Sequence, residues 1–443
     1  MSPVPVPHPP AALSPGRRPF ASWIALIGAG TLAILAGCAA PPPADQPTPP
    51  AADAAPSADA APAPTAAPTP PAAQPAAPPP VLPFDEAVLS AASMLLGKGE
   101  LGSSGARHAL VIDPLIDGVT GTQSQATQAV GSKLAELIRS RYPQYELQAL
   151  STPNLAKSPL VLIGTFTGVN GERKTEGQRE AYRICLALAD LKTGKLVGKG
   201  LAYAAKEGVD ITPTAFFRDA PAWVEDAATT GYVRSCQGTR SGDAIHPAYL
   251  EHIQSAAQIS EAIDAYAEGR YAEALKLYTA AAEAPSGRQL RVYSGLYLTN
   301  WRLGRREGAA KAFGQVVEQG LEAKRLGVKF LFRPGSTALW SDPKGPAIPY
   351  AIWIQEIGSR TAKLQSCLEV VGHASASGPE PVNERLSLKR AEQLRNDLLR
   401  SAKTLAKRVA ASGAGSRETL IGNGRDDASD ALDRRVEFKV VGC

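Results

Sequence analysis

The chain has 443 residues, enough for two or three domains, and 24 of its 38 proline residues lie within the first 83 positions. This asymmetry predicts an unfolded front and a folded remainder. A formal charge of only +5 with 6% aromatic residues argues against a dedicated nucleic-acid-binding protein, and 5 Cys with 5 His exclude a multi-zinc architecture.

The start of the chain has the features of a secretory signal. Arg17 and Arg18 precede an apolar run from Trp23 to Ala36. As a helix this run would span roughly 21 Å, too short for a ~30 Å hydrocarbon core. A basic start, a short apolar segment and small residues before a cut site are typical of a signal peptide. We therefore predict that residues 1–37 are a signal.

The string Leu35-Ala36-Gly37-Cys38 resembles a bacterial lipobox, in which the cysteine becomes the lipidated first residue of the mature protein. The resemblance implies a lipid anchor at Cys38. Ala39, rather than Asp, follows the cysteine, which by the same resemblance implies sorting to the outer membrane. An ordinary signal peptide that contains a cysteine is the alternative.

Residues 38–83 carry this anchor and a linker of biased composition. From Ala39 to Pro83 the chain has 17 Ala and 17 Pro among 45 residues, a composition that cannot form a core. Proline-rich chain favours extended polyproline II, which would reach up to about 140 Å at ~3.1 Å per residue. The predicted tether can hold the folded part well away from its membrane.

The first folded block, residues 84–245, alternates apolar strands with helical patterns. This pattern predicts an α/β sandwich with a partly antiparallel sheet. Lys192-Thr193-Gly194 is predicted to form a hairpin turn between the last two strands. The pieces ALVIDPLIDG, LVLIGTF and YRICLALADLKTGKLVGKGLAYA resemble periplasmic lipoprotein domains of the curli-secretion, flagellar-accessory and penicillin-binding-protein-activator type. The predicted strands are His108–Leu115, Tyr145–Leu150, Leu160–Phe166, Tyr182–Ala189 and Leu196–Ala204, and one helix face carries Ala126, Val130, Leu134, Leu137 and Ile138.

The second block, residues 257–321, contains an internal repeat with a shift of 35 residues. Small and aromatic residues recur at matching offsets, which resembles tetratricopeptide repeats. A single generic pair of helical hairpins is the alternative. The matched positions are Gly269, Tyr271, Ala274, Tyr278 and Ala281 with Gly304, Arg306, Ala309, Phe313 and Val316.

The third block, residues 327–443, strongly resembles the OmpA-like peptidoglycan-binding domain. The resemblance rests on the segment from Leu368 to Leu399, LEVVGHASASGPEPVNERLSLKRAEQLRNDLL, and on the closing strand DRRVEFKVV. It implies helices packed on a mixed four-stranded sheet. We expect Gly378 to permit the turn after a strand and Asn383 to cap the next helix, on which Leu386, Leu394 and Leu398 face inward.

The same resemblance implies the ligand residues. Arg390 would bind the carboxylate of the diaminopimelate stem through two parallel N–H donors of its guanidinium. His373 would lie at a strand end near the cleft, either as a hydrogen-bonded imidazole or as a ligand contact, and Asn383 belongs to the same set. The family's Asp falls on Ser375, whose hydroxyl cannot offer a charge to the stem's ammonium. Glu380 and Glu384 are candidates for a substitute carboxylate.

Charged clusters elsewhere in this block have a plain interpretation. Asp426, Asp427, Asp430 and Asp433 miss the spacing of a calcium loop and are expected to form a solvated acidic turn. Most basic residues along the last long helix are expected to be a solvated face, with a polyanion patch as the alternative. These residues are Arg385, Lys389, Arg395, Arg400, Lys403, Lys407 and Arg408.

Four cysteines remain once Cys38 is lipidated, and they permit three pairings. Export to an oxidising compartment favours disulfides. We predict Cys185–Cys236 within the first block and Cys367–Cys443, which would tie the last strand to the strand before Gly372; free buried thiols are the alternative.

No catalytic constellation, metal site or cofactor motif is present in the sequence, so we expect neither an enzyme nor a cofactor. The fold class is multidomain α/β and α, and the predicted function is that of a periplasm-facing outer-membrane lipoprotein. Its partners would be peptidoglycan, the membrane through the lipid, and envelope proteins through the middle blocks, with no nucleic acid. The alternatives are a regulator of a peptidoglycan synthase and an accessory of a secretion or flagellar machine.

Overall fold

The computed structural model of the chain describes residues 79–97, 107–175, 179–223, 226–341, 347–420 and 429–443. The stretch from Pro75 to Cys443 forms one compact unit. The predicted signal, Cys38 and most of the predicted tether lie outside the described residues. Within the described ranges, no helix combines the length and the apolar character that crossing a membrane requires.

Six strands form the first sheet in the order β1-β6-β5-β4-β2-β3. Strands β4, β5 and β6 are antiparallel, with Gly194 at φ +68° in the β5–β6 turn, whereas β2 pairs in parallel with β3 and β4. The predicted partly antiparallel sheet is confirmed. The strand predicted to reach Leu115 ends earlier, because Pro114 has no N–H with which to continue the ladder. The strands are β1 Val81–Leu82, β2 His108–Ile112, β3 Tyr145–Leu147, β4 Leu160–Val169, β5 Ala181–Asp190 and β6 Lys195–Ala205.

Helices cover both faces of this sheet, since successive strand residues point to opposite sides. Leu186 packs in the core formed with α1 and α2, and Ala187 packs in the core formed with α5 and α6. Helix α1 comes so close to β6 that a Cβ at Gly200 would lie 2.1 Å from the carbonyl oxygen of Ala91, so only glycine fits there. The helices are α1 Phe84–Gly97, α2 Gln125–Arg141, α3 Thr152–Leu155, α4 Ala215–Asp219, α5 Ala227–Cys236 and α6 Pro247–Ala267.

Two helical hairpins, α6–α7 and α8–α9, occupy the middle of the chain. The turns before α7 and α9 contain Gly269 at φ +78° and Gly304 at φ +73°, in line with the 35-residue shift in the sequence. The aromatic ring of Tyr278 fills the space over Gly295, where a Cβ would lie 2.3 Å from a ring carbon. The added helices are α7 Tyr271–Glu283, α8 Leu290–Arg302 and α9 Arg306–Glu322.

The second sheet has four strands in the order β7-β10-β8-β9, with β8 and β9 parallel and the other pairs antiparallel. The predicted mixed four-stranded sheet is confirmed, and Gly378 has the positive φ, +90°, that its turn needs. Leu394 and Leu398 of α11 are buried as expected, and Leu386 is half-buried. The elements are β7 Arg325–Leu331, α10 Tyr350–Lys363, β8 Cys367–Gly372, α11 Glu380–Ser401, β9 Val409–Gly413 and β10 Arg435–Val441.

A short segment of the first block extends the second sheet beyond its edge strand. Residues 221–223 lie antiparallel to β7, with hydrogen bonds from Trp223 N to Gly327 O (2.9 Å) and from Lys329 N to Pro221 O (2.8 Å). The Trp223 indole N–H also donates to the Glu437 carboxylate on β10, at 2.7 Å. One continuous apolar core therefore runs from α4 through the hairpins into the second sheet.

Both predicted disulfides are confirmed. Cys185–Cys236, with Cα atoms 6.1 Å apart, ties β5 to the end of α5. Cys367–Cys443, with Cα atoms 5.3 Å apart, ties the start of β8 to the chain end after β10. Each closes a long loop, a constraint on the unfolded chain on the order of 3–4 kcal/mol in the chain-entropy model.

Candidate functional site

Arg390 is the centre of the predicted site, and its side chain is fully buried. The guanidinium donates to three backbone carbonyls: Ser336 O from Nε at 3.0 Å, Arg333 O from Nη2 at 3.1 Å and His373 O from Nη1 at 3.1 Å. Its Cζ also lies 5.3 Å from the centroid of the Phe332 ring. Arg390 thereby joins α11 to the end of β8 and to the loop after β7.

His373 follows β8 and is buried to 1% exposure. Among the described residues neither ring nitrogen has a hydrogen-bond partner, so the first of the two alternatives, a hydrogen-bonded imidazole, is wrong. Carboxylates of Glu418 and Glu437 lie 3.7 Å from Nδ1 and 3.9 Å from Nε2. Burial dominates over these charges and lowers the pKa of His373 to about 3, so the ring is neutral at physiological pH.

Ser375 lies in the turn between β8 and α11, and Asn383 lies near the start of α11. Both side chains are buried. The Ser375 hydroxyl shares a 3.0 Å hydrogen bond with Ser377. The predicted cap at Asn383 is wrong, because α11 begins at Glu380, behind Pro379. Asn383 lies inside the first turn, where its Nδ2 donates to Gly378 O at 3.3 Å and holds the glycine turn.

Glu380 and Glu384, the candidates for a substitute carboxylate, bind the segment after β9 instead. Glu380 accepts from Ser416 N at 3.1 Å and from Arg417 Nη1 at 3.4 Å. Glu384 pairs with the same guanidinium of Arg417. Both acids therefore fix a loop that borders the site.

The paired arginines at the start of β10 are part of the same buried framework. Arg434 Nε donates to Phe332 O at 3.1 Å, next to the carbonyls that Arg390 binds. Arg435 Nε donates to the Glu437 carboxylate at 2.7 Å, and its Nη1 donates to Glu418 O at 3.1 Å. Glu437 is thus shared between Arg435 and the indole of Trp223. Burial raises the pKa of this carboxyl, but the charge of Arg435 and the hydrogen bonds from Arg435 and Trp223 together outweigh burial, so the pKa falls.

The acidic turn differs from expectation, because Asp430 and Asp433 are fully buried rather than solvated. The Asp433 carboxylate accepts from Leu420 N, and Asp430 O accepts from Asp433 N at 3.0 Å. Asp426 and Asp427 lie outside the described residues. Across the described ranges, no group of three His, Cys, Asp or Glu side chains is arranged to hold a metal ion.

The basic helix face is solvated for the most part, as predicted. Two of its members turn inward: Arg395 Nε donates to Val409 O at 2.8 Å, and Arg408 Nη1 donates to Thr361 O at 3.4 Å. The exposed members are Arg385, Lys389, Arg400, Lys403 and Lys407.

The structure brings the four predicted ligand residues to one end of the second sheet but leaves little of them exposed. Their exposed fractions are 0% for Arg390, 1% for His373 and 4% each for Ser375 and Asn383. Three of the five N–H donors of the Arg390 guanidinium already bind backbone carbonyls, so a ligand carboxylate would find few donors left. Sequence reasoning missed Trp223, which approaches this end from a block about a hundred residues earlier and carries no local signal.

Comparison with known proteins finds similarity for one part of the chain. A sequence profile of the OmpA family matches residues 331–431, from the end of β7 to the segment before β10. No curated protein matches the chain at a significant level.

Several solved structures are similar to a part of the chain. The peptidoglycan-associated lipoprotein from Burkholderia pseudomallei matches with 22% identity over 27% of this chain and 93% of that chain, at a TM-score of 0.22. The cell wall anchor of the T6SS from Pseudomonas aeruginosa matches with 19% identity over 30% of this chain and 97% of that chain, at a TM-score of 0.22. The C-terminal domain of Helicobacter pylori MotB matches with 18% identity over 26% of this chain and 84% of that chain, at a TM-score of 0.21.

Proposed function

We propose that the chain is a cell-envelope lipoprotein, anchored in the outer membrane by lipid at Cys38 and facing the periplasm. Its C-terminal domain binds peptidoglycan through the diaminopimelate stem. The match of the OmpA family profile to residues 331–431 carries the proposal, because that range contains all four predicted ligand residues. The protein acts by attachment and carries out no catalysis.

The rest of the folded chain has a scaffolding role in this proposal. The hairpins α6–α7 and α8–α9 share a core with the second sheet, so they form a platform attached to the wall-binding domain. The tetratricopeptide-like spacing and the α/β sandwich support docking of envelope proteins on this platform. The Pro/Ala tether supplies the reach between membrane and wall.

Sedimentation with purified sacculi tests the wall contact. We expect the wild-type chain to pellet weakly and Ser375→Asp to bind about 10–100-fold more tightly, because a charge-assisted hydrogen bond to the stem ammonium is worth roughly 1.5–3 kcal/mol. Ser377→Asp adds the same charge two residues away and is the matched control, with no gain expected.

Each outcome of this assay bears on the proposal. If wild type stays in the supernatant and Ser375→Asp pellets, the domain is a wall-binding fold that has lost its ligand. If both stay in the supernatant, or if Ser377→Asp gains as much as Ser375→Asp, the assignment of the pocket is wrong. The measurement is the fraction of protein in the pellet at increasing sacculus concentration.

The lipid anchor is tested by metabolic labelling. Cys38→Ala is expected to lose all palmitate incorporation and to leave the membrane fraction, because the thiol is the acceptor. Ala39→Asp keeps the acceptor and should remain labelled while shifting from the outer to the inner membrane. Palmitate labelling of Cys38→Ala at the wild-type level would contradict the assignment.

A further inference from the structure

We propose that the first sheet carries a separate ligand site for a small organic carboxylate. The site is an open cavity of about 420 Å³ beside the β5–β6 hairpin, within the usual size of small-molecule sites. Two cationic side chains, Arg183 and Lys199, line it together with the apolar residues Met94, Leu201 and Tyr203. This inference goes beyond wall attachment and does not depend on it.

The pairing of β5 with β6 brings the two cations to one face. Arg183 lies opposite Tyr203, and Lys199 lies opposite Ala187. Residues 183, 185, 187, 199, 201 and 203 therefore share the face that packs toward α5. Toward the hairpin turn this face is covered by α5 and α6, but at the cavity it is covered only in part, and Leu201 is 38% exposed.

Neither cation forms an ion pair with a carboxylate in the part of the chain that the structure describes. Arg183 Nη2 donates to the neutral amide oxygen of Gln237 at 2.6 Å, and its Nε is buried without a hydrogen-bond partner. Lys199 Nζ donates to Thr239 Oγ1 at 3.0 Å and to the carbonyl of Cys236. Two half-buried positive charges therefore make their direct contacts with neutral groups, which leaves the cavity attractive to an anion.

The charge of Asp243 does not offset the burial of Lys199. Asp243 raises the pKa of Lys199, but burial has the larger effect and brings that pKa down to about 8. The Asp243 carboxylate itself accepts from Arg240 N at 2.7 Å. A ligand carboxylate beside Nζ would keep the amine protonated and supply the missing counter-charge.

The site is rigid before a ligand arrives. Gln237, which holds the Arg183 guanidinium, donates from Nε2 to Thr165 Oγ1 on β4 at 2.9 Å. The disulfide Cys185–Cys236 fixes the end of α5 to β5 between the two cations. Little ordering entropy is lost on binding to a site whose groups are already held.

The lining indicates the kind of anion. Arginine favours a carboxylate because its planar fork matches two oxygens. Met94 is 42% exposed at the rim, so an apolar substituent on the ligand would remove apolar surface from water. The chemistry therefore fits a small carboxylic acid with an aliphatic side group rather than an inorganic anion.

Calorimetric titration of the full chain in detergent tests the site, with N-acetyl-leucine as the probe and N-acetyl-leucinamide as its uncharged match. We expect the acid to bind at least ten times more tightly than the amide. Arg183→Gln and Lys199→Met should each weaken binding of the acid at least tenfold. Lys195→Met removes an exposed cation from the same strand and should leave binding unchanged.

The acid–amide comparison is made on the wild-type chain, so it decides the question even if a variant fails to fold. Absence of saturable binding of the acid, or equal binding of acid and amide, would overturn the proposal. So would wild-type affinity in folded Arg183→Gln and Lys199→Met, with folding judged by the melting temperature. None of these results bears on sacculus binding, which is measured separately.

Discussion

Arg390→Met is expected to lower the free energy of unfolding by roughly 3–5 kcal/mol, because three buried backbone carbonyls lose their donor at about 1–3 kcal/mol each. The side chain is fully buried and donates to three backbone carbonyls. Methionine fills most of the volume but leaves these oxygens without a donor, and a buried polar group without a partner is costly. Urea denaturation followed by circular dichroism measures the change.

Arg385→Met is the matched control, since it removes an exposed arginine from the same helix and should change stability by no more than about 0.5 kcal/mol. Equal stability of Arg390→Met and the wild type would show that the guanidinium does not support the fold. The expected loss also means that failure of Arg390→Met to bind sacculi cannot identify a ligand contact by itself. The gain expected for Ser375→Asp is the more informative result.

Lys329→Met is expected to raise the free energy of unfolding at neutral pH by roughly 2–4 kcal/mol, because removal of the buried amine outweighs the loss of its hydrogen bond to Phe217 O, which costs about 1–3 kcal/mol. Lys329 is buried under the added segment at residues 221–223, and its Nζ donates to Phe217 O at 2.8 Å and lies 4.8 Å from the Trp223 ring. Burial, opposed only in part by Asp219, lowers the pKa of Lys329 from 10.5 to about 7. At one pKa unit per ~1.4 kcal/mol, this shift costs the folded state roughly 5 kcal/mol.

The sign of the pH dependence follows from that lowered pKa. Between about pH 7 and 10.5 the unfolded chain holds a proton on Lys329 that the folded chain does not, so wild-type stability rises with pH across this window. The advantage of Lys329→Met over the wild type should therefore shrink as pH rises. Lys439→Met, on an exposed position of β10, is the control. A constant difference between Lys329→Met and wild type from pH 7 to 10 would rule out a buried, titrating amine.

The sequence was sufficient for the parts of the fold that depend on local patterns. The apolar runs of β4, β5 and β6, the hairpin glycine at Gly194 and the turn glycine at Gly378 are set by residues close together in the chain. The two disulfides followed from the small number of cysteines and their distribution between blocks. The resemblance to the OmpA-like domain was sufficient to predict that Ser375, Asn383 and Arg390 lie at one end of the second sheet.

Burial of the site could not be predicted from these patterns. Arg390 is enclosed by carbonyls from the loop after β7, more than fifty residues earlier, and no periodicity reports on that contact. Likewise, His373 is surrounded by Glu418 and Glu437, which tertiary packing brings beside it without a hydrogen bond. The cations Arg183 and Lys199 share a face only because a β-bulge between the Leu188 and Ala189 pairs shifts the register of the hairpin by one residue, and the alternation of the sequence does not report that shift.

The segment at residues 221–223 has a consequence for any attempt to isolate the C-terminal domain. A fragment that began at β7 would present that strand as an open edge, with its backbone N–H and C=O groups free to pair with another molecule. It would also leave the Glu437 carboxylate without the Trp223 indole. Such a fragment would tend to associate edge to edge, and it would report the self-association of a cut sheet instead of the behaviour of the intact chain.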